Sequence, residues 1–270
     1  MTPGQSLYFA HLAYPHAEEL LGAEHAPVLF LPVGATEPHG PHAPLATDAI
    51  ISQAMCERAA ERLAADEQLR GLVLPAIPFG VTRYAQAFPG IVHVDETTLS
   101  ALIGDVCRSL FSQGFDNLVV ANSHFEPDHV ATLHNALDQV EREDERTVGF
   151  LDLTRRERAQ RLTEAFRRGE SHADRYETSI VLAARPELVD IDTMKELPYL
   201  PINMAKAIAA GKNEFEEIGL TRAYAGAPSE ASAEEGNATL DLLAEMLIEC
   251  ARAIVDGTGG RDQPGLFGRA

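Results

Sequence analysis

Short apolar runs alternate along this chain with amphipathic stretches of helix length, and that alternation leaves few folds open. Residues 26–33 (APVLFLPV) are apolar throughout and end at Gly34, as a strand buried on both faces does. Further strands are expected at 72–77, 117–121 and 147–153. Helical periodicity lies between them, from about 48 to 65, over 96–111, and from Pro127 to about 141. Proline is well placed at a helix start, where its missing N–H costs nothing. Two helical segments are expected around 155–168 and 173–184, and a long helix over roughly 230–255. This order predicts a layered α/β fold with a mainly parallel sheet and helices on both faces. In such folds the functional loops leave the C-terminal ends of the strands.

The 270 residues show no composition break that would divide them, so one domain spanning 1–270 is expected, with 255–270 as a Gly-rich flexible or packing tail. No run of 18 apolar residues is present, and the N-terminus has neither a basic start nor an apolar core. A membrane helix and a secretory signal are therefore not expected. Cys56, Cys107 and Cys250 are odd in number and far apart, which reads as free thiols in a reducing cytoplasm. A formal charge of −19 disfavours nucleic acid and anionic membranes as partners and suits a protein that holds cations. Much of that acid, such as Glu141, Glu143 and Glu145, is solvated helix face.

Two loops at strand ends carry the chemistry. The first, after the strand at 26–33, holds Glu37, His39, His42 and Asp48 on a backbone stiffened by Pro38, Pro41 and Pro44. Glu37 and His39 are two apart in a turn and can face one cavity. Asp48 falls at a helix start, where a carboxylate is favoured in any case, so its role depends on its neighbours. The second loop, Asn122-Ser-His124-Phe-Glu126, repeats the pairing of Glu and His. Three carboxylates and two imidazoles form the inventory of a two-metal hydrolytic site, which activates a shared water and polarises a scissile carbonyl. They suit Zn²⁺ or Mn²⁺ equally.

His172 and Glu177 stand at the head of the expected helix 173–184. His172 reads as a proton carrier for a leaving nitrogen, and Glu177 as a carboxylate that orients an imidazole. In the turn-rich loop 79–90, Thr82, Arg83 and Tyr84 are candidate substrate contacts. His11, His16, His25, His93, His129 and His134 read as surface or core residues, and His42 as a support to the loop.

At these residues the chain resembles the creatininase (creatinine amidohydrolase) family. The resemblance runs through Gly34-Ala-Thr-Glu37-Pro-His39-Gly-Pro-His42-x-Pro-Leu-x-Thr-Asp48, Phe88-Pro89-Gly90, Asn122-x-His124-x-Glu126, His172-Ala-x-x-x-Glu177-Thr-Ser179, Arg185-Pro-Glu-Leu-Val189 and Gly226-x-Pro228 to Gly236. It implies a binuclear metal centre and a homohexamer. It places ligands on Glu37, His39, Asp48 as the bridge, and His124, with Glu126 or Glu177 as the fifth. It places the catalytic histidine on His172 and substrate contacts on Thr82 and Phe125. The family's substrate-covering tryptophans are absent from this chain, and Arg168 stands near one of their places. These departures weigh against creatinine itself.

The expected function is hydrolysis of a carbonyl in a small, polar, cyclic amide by a cytoplasmic enzyme with two divalent ions. Its rivals are ring opening of an inosose-type polyol ketone by C–C cleavage, for which Arg83, Tyr84 and Arg168 would bind the polyol, and a non-catalytic metal-binding assembly protein.

Overall fold

The computed structural model describes residues 6–264. A short helix α1 (Tyr14–Leu21) precedes β1 (Ala26–Val33). The chain then alternates through α2 (Thr47–Leu63), β2 (Leu69–Val73), α3 (Glu96–Phe111), β3 (Asn117–Asn122), α4 (Pro127–Asp144) and β4 (Gly149–Leu151). Short helices follow: α5 (Arg156–Ala159), α6 (Glu164–Arg167), α7 (Arg175–Ala184), α8 (Ile191–Lys195), α9 (Met204–Ala209) and α10 (Phe215–Ile218). The long α11 (Ala233–Val255) comes last. The four strands are parallel, in the order β2-β1-β3-β4.

Alternation along β1 divides the interior into two cores, because successive side chains point to opposite faces of a sheet. Val28 and Phe30 join Met55 of α2, Ile180 of α7 and Leu247 of α11. Leu29, Leu31 and Val33 join Ile103 of α3 and Leu137 of α4. This is the layered arrangement expected from the sequence. None of the described helices is long and apolar enough to cross a membrane.

The differences from expectation lie at element ends and in the second half. The second strand pairs over Leu69–Val73, earlier than 72–77. Pro75 has no N–H to give a ladder, so Ile77 meets Val33 only in a single bridge. The strand expected at 147–153 is shortened to Gly149–Leu151. The helix expected over 155–168 is broken into α5 and α6, the second started by Thr163, whose hydroxyl accepts the N–H of Phe166. Helices α1, α8, α9 and α10 were not anticipated; three are a turn or two long and leave little periodicity to read.

The described part of the tail is packed on its own chain. Phe150 N–H donates to the Gly260 carbonyl (3.1 Å), Asp262 N–H donates back to Phe150 (3.0 Å), and the Asp262 carboxylate accepts from Arg158. The segment thereby covers the free edge of β4, which would otherwise present unpaired backbone groups. Residues 265–270 of the expected tail lie outside the described residues.

The strand order also positions the site. From β1 the chain moves to β2 on one side, and β3 then pairs on the other. Neighbouring strands whose connections depart in opposite directions open a crevice at their C-terminal ends. Both loops singled out above leave those two strands.

Candidate metal centre

Gly34 lets the end of β1 touch the start of α2. A Cβ there would lie 2.7 Å from the Ala49 nitrogen and 2.8 Å from the Asp48 carbonyl carbon, so only glycine fits. Asp48 is thereby held in the first turn of α2 against the crevice. It does not cap the helix: Ala46 takes that position, with no side-chain cap, and Asp48 Oδ2 is buried without a hydrogen-bond partner. Gly34→Ala should push Asp48 out of place. We expect a fall of about ten- to a hundredfold in metal affinity, the range for lost support of a ligand, measured by competition with a chelating dye.

The main chain sets which nitrogen each histidine offers. His39 Nδ1–H donates to the Glu37 carbonyl (3.0 Å), which turns Nε2 toward Asp48 as the nitrogen it can offer. His124 Nε2–H donates to the Val81 carbonyl (3.0 Å), which leaves Nδ1 facing Asp48 Oδ2 at 3.1 Å and Glu37 Oε1 at 3.3 Å. His172 Nε2–H donates to the Pro38 carbonyl (2.9 Å), which leaves Nδ1, 3.8 Å from Glu37 Oε1. Its ring is held between His39 and Phe215, with centroids 4.6 and 4.5 Å away.

These atoms gather into two groups that share Asp48. Glu37, Asp48 and His124 each offer a ligand atom within 4.8 Å of the others, and so do His39, Asp48 and Glu177. A third group joins Glu37, His39 and His172. His39 Nε2 approaches Asp48 Oδ1 to 3.0 Å yet is out of line for a hydrogen bond. Unaligned donors and acceptors converging on common points are what divalent ions would satisfy, and the mixed N/O donor set fits zinc or manganese.

The buried charges show the same demand. Burial works against a charge on His39, but Asp48, Glu177 and Glu37 beside it raise its pKa to about 10. His124 is likewise raised well above its ordinary value, against burial, by Glu37 and Asp48. Asp48 is held well below the usual carboxylate range, again against burial, by His39 and His124. Burial pushes Glu126 up to about 7 and, with the nearby His39, pulls His172 down to about 4.

Glu126, expected among the ligands, falls in none of the three groups. Its Oε2 accepts the main-chain N–H of Arg83 (2.8 Å) and Tyr84 (3.2 Å), while Oε1 is buried and unpartnered. Glu177, read either as orienting an imidazole or as the fifth ligand, stands as a corner of the second group. Its Oε2 accepts the N–H of Ala173 at 2.5 Å. Ala173 itself has φ 48°, a left-handed conformation that brings His172 and Glu177 to the same cavity at a cost of about 1–2 kcal/mol.

A cavity of about 210 Å³ covers the centre. Tyr84 and Phe125 line it. Thr82 is buried behind it, its hydroxyl donating to Glu37 Oε2. Two substrate contacts expected from the sequence are not there. The Arg83 guanidinium turns away to Glu96, at 2.8 and 2.9 Å, and Arg168 is exposed and paired with Glu164 at 2.6 Å. The neighbouring Arg167 lines the cavity in its place.

His129 was passed over in the sequence as an ordinary core or surface residue. It is buried against the ring of His124 (4.7 Å). Its Nδ1 accepts the Val81 N–H and its Nε2–H donates to Asn122 Oδ1, so it fastens the segment that carries the Val81 carbonyl to β3. Its place opposite Gly80, where a Cβ would meet the ring at 2.7 Å, is visible only in three dimensions. His42 supports the loop through a 2.8 Å bond between Nε2 and the Thr178 hydroxyl.

The chain is 29% identical over 232 residues to the creatinine amidohydrolase of Pseudomonas putida, which covers 77% of this chain and 86% of the relative. It is 28% identical over 258 residues to the mycofactocin precursor peptide peptidase of Mycolicibacterium smegmatis, covering 92% and 94%. Two solved creatininase structures superpose on it. One is a manganese form (26% identity, TM-score 0.70, 94% of this chain and 99% of the other), the other a mutant of Zn–Zn type (26%, 0.69, 94% and 98%). The family profile described as creatinine amidohydrolase matches residues 10–251, and the chain belongs to the creatininase family.

Proposed function

We propose that this protein is an amidohydrolase that cleaves a C–N bond of a small amide at a centre of two divalent ions, zinc or manganese. The observation that carries the proposal is the pair of ligand groups joined at Asp48. Glu37, Asp48 and His124 would hold one ion, and His39, Asp48 and Glu177 the other. Bound there, the ions supply Lewis acidity, lowering the pKa of water and polarising a carbonyl.

The protein's own part is positioning and proton transfer. His172 is anchored through Nε2, so Nδ1 is the atom that can take a proton from water and return it to the leaving nitrogen. A pKa lowered to about 4 keeps it neutral and able to accept at pH 7. Glu126, fixed at Oε2 and raised to about 7, can hold a second proton at Oε1. Thr82 keeps Glu37 in register from behind.

The apolar lining disfavours a polyol ketone, which would need partners for many hydroxyls, and Arg83 and Arg168 are turned away from the task proposed for them. A complete donor set beside an anchored proton carrier has no use in a non-catalytic scaffold. A homohexamer and a cytoplasmic location belong to the same reading and rest on the family likeness. A cyclic amide remains within it.

The test is metal loading of chelator-stripped protein, followed by calorimetry in two buffers of different ionisation heat. The neighbouring carboxylates raise His39 to about 10 and His124 well above its ordinary value, and burial raises Glu177 to about 8, so an ion entering the site displaces protons from its ligands. We therefore expect about two ions bound per chain, a net release of protons, and affinity that falls as pH is lowered. Amide hydrolysis should return with the ions. Binding of less than one ion with no proton release overturns the proposal.

A further inference from the structure

The cavity over the centre has two unlike parts. Glu37, Asp48, His124 and Glu177 stand at its floor. The wall beyond is dominated by Phe125, Leu153, Phe166, Met204, Ile208 and Phe215. The aromatic portion is stiff. Phe125 meets Phe166 edge-on (5.6 Å, 88°), and Phe166 rests on the buried Tyr176 (4.8 Å). Phe215 lies against the ring of His172, so the apolar surface begins beside the proton carrier. Arg167, also on the lining, is exposed and makes no ion pair among the described residues. Arg158, Arg161 and Arg168 are each paired with a carboxylate.

An apolar slot with one unpaired guanidinium receives a ligand that has an apolar body and an anionic end. The body gains by leaving water, and a carboxylate matches the planar fork of arginine. We infer that the substrate is an amide bearing an apolar group next to the scissile carbonyl and a carboxylate farther out. The inference rests on the two-ion amidohydrolase reading, which alone puts the carbonyl at the cavity floor.

Hydroxamates, which chelate divalent ions, separate the two ideas. Zinc-loaded protein would be titrated by calorimetry with acetohydroxamate, 3-phenylpropanohydroxamate and its 4-carboxyphenyl analogue. The phenyl compound should bind about tenfold more tightly than acetohydroxamate, the gain from burying roughly two methylene equivalents. The carboxylate should add about threefold, as an exposed ion pair does. Phe166→Ala and Ile208→Ala should each collapse the first ratio; the second variant serves because Phe166 is buried and its loss could unfold the chain. Arg167→Gln should remove the second ratio alone. Equal binding of acetohydroxamate and the phenyl compound, or a ratio untouched in a folded variant, overturns the inference and leaves the amidohydrolase reading standing. A carboxylate gain that survives Arg167→Gln overturns the anionic part. Failure of all three hydroxamates to bind overturns the two-ion reading itself.

Discussion

Asp48→Ala should empty both ion positions at once. The other proposed ligands each belong to one of the two groups that share Asp48, whereas Asp48 belongs to both. Its removal takes away a donor from each and leaves His39 and His124 facing only the remaining carboxylates. Weakening beyond about 100-fold is expected, since that factor is the upper end for losing a group that merely supports a ligand. Metal analysis should find the ion content falling from about two per chain to a small fraction of one, with hydrolysis falling in parallel. Retention of one tightly held ion would show that the groups are independent and that Asp48 is no bridge. Asp48→Asn is the useful companion. It keeps the volume at the Gly34 contact, so a loss shared by both variants comes from the charge and not from displacement of α2.

His172→Ala separates proton transfer from metal binding. His172 contacts the centre through Nδ1, 3.8 Å from Glu37, but Glu37, His39, Asp48, His124 and Glu177 form the two Asp48-sharing groups without it. The variant should keep its ions and lose about 10²–10⁴ in kcat, the usual contribution of a positioned general acid or base. His172→Gln should lose as much, because an amide can hold the Pro38 carbonyl but cannot carry the proton. If either variant loses its ions, His172 is a ligand of the third group and the proton must travel elsewhere, with Glu126 the next candidate.

The legible part of the site was the part that lies close together in the chain. Glu37 and His39 sit in one stiff loop and His124 directly follows a strand, so their residue types and spacing announce them. Glu177 stands out in the sequence, but whether it ligates or orients an imidazole is not legible there, because its approach to His39 depends on how α7 packs against the sheet. The arginines show how little is needed to mislead. Arg167 and Arg168 end a four-residue helix that the sequence does not define, and one step around that turn decides which of them faces the cavity. Arg83 looked like a substrate group because its loop is near the site. Its guanidinium is claimed by Glu96, and only its main-chain N–H serves the centre.

Hydrophobic periodicity and turn chemistry therefore determined the layered α/β architecture and the strand ends from which function would emerge. Those signals are local, as are the paired Glu and His in each loop. Only the tertiary structure decided the strand order that sets β1 beside β3, the grouping of four side chains around Asp48, and the nitrogen each histidine turns inward. These depend on backbone carbonyls at Glu37, Pro38 and Val81, which carry no mark in the sequence. The apolar wall is of the same kind: its side chains come from the loops after β3 and β4 and from distant short helices, and packing alone makes them one surface.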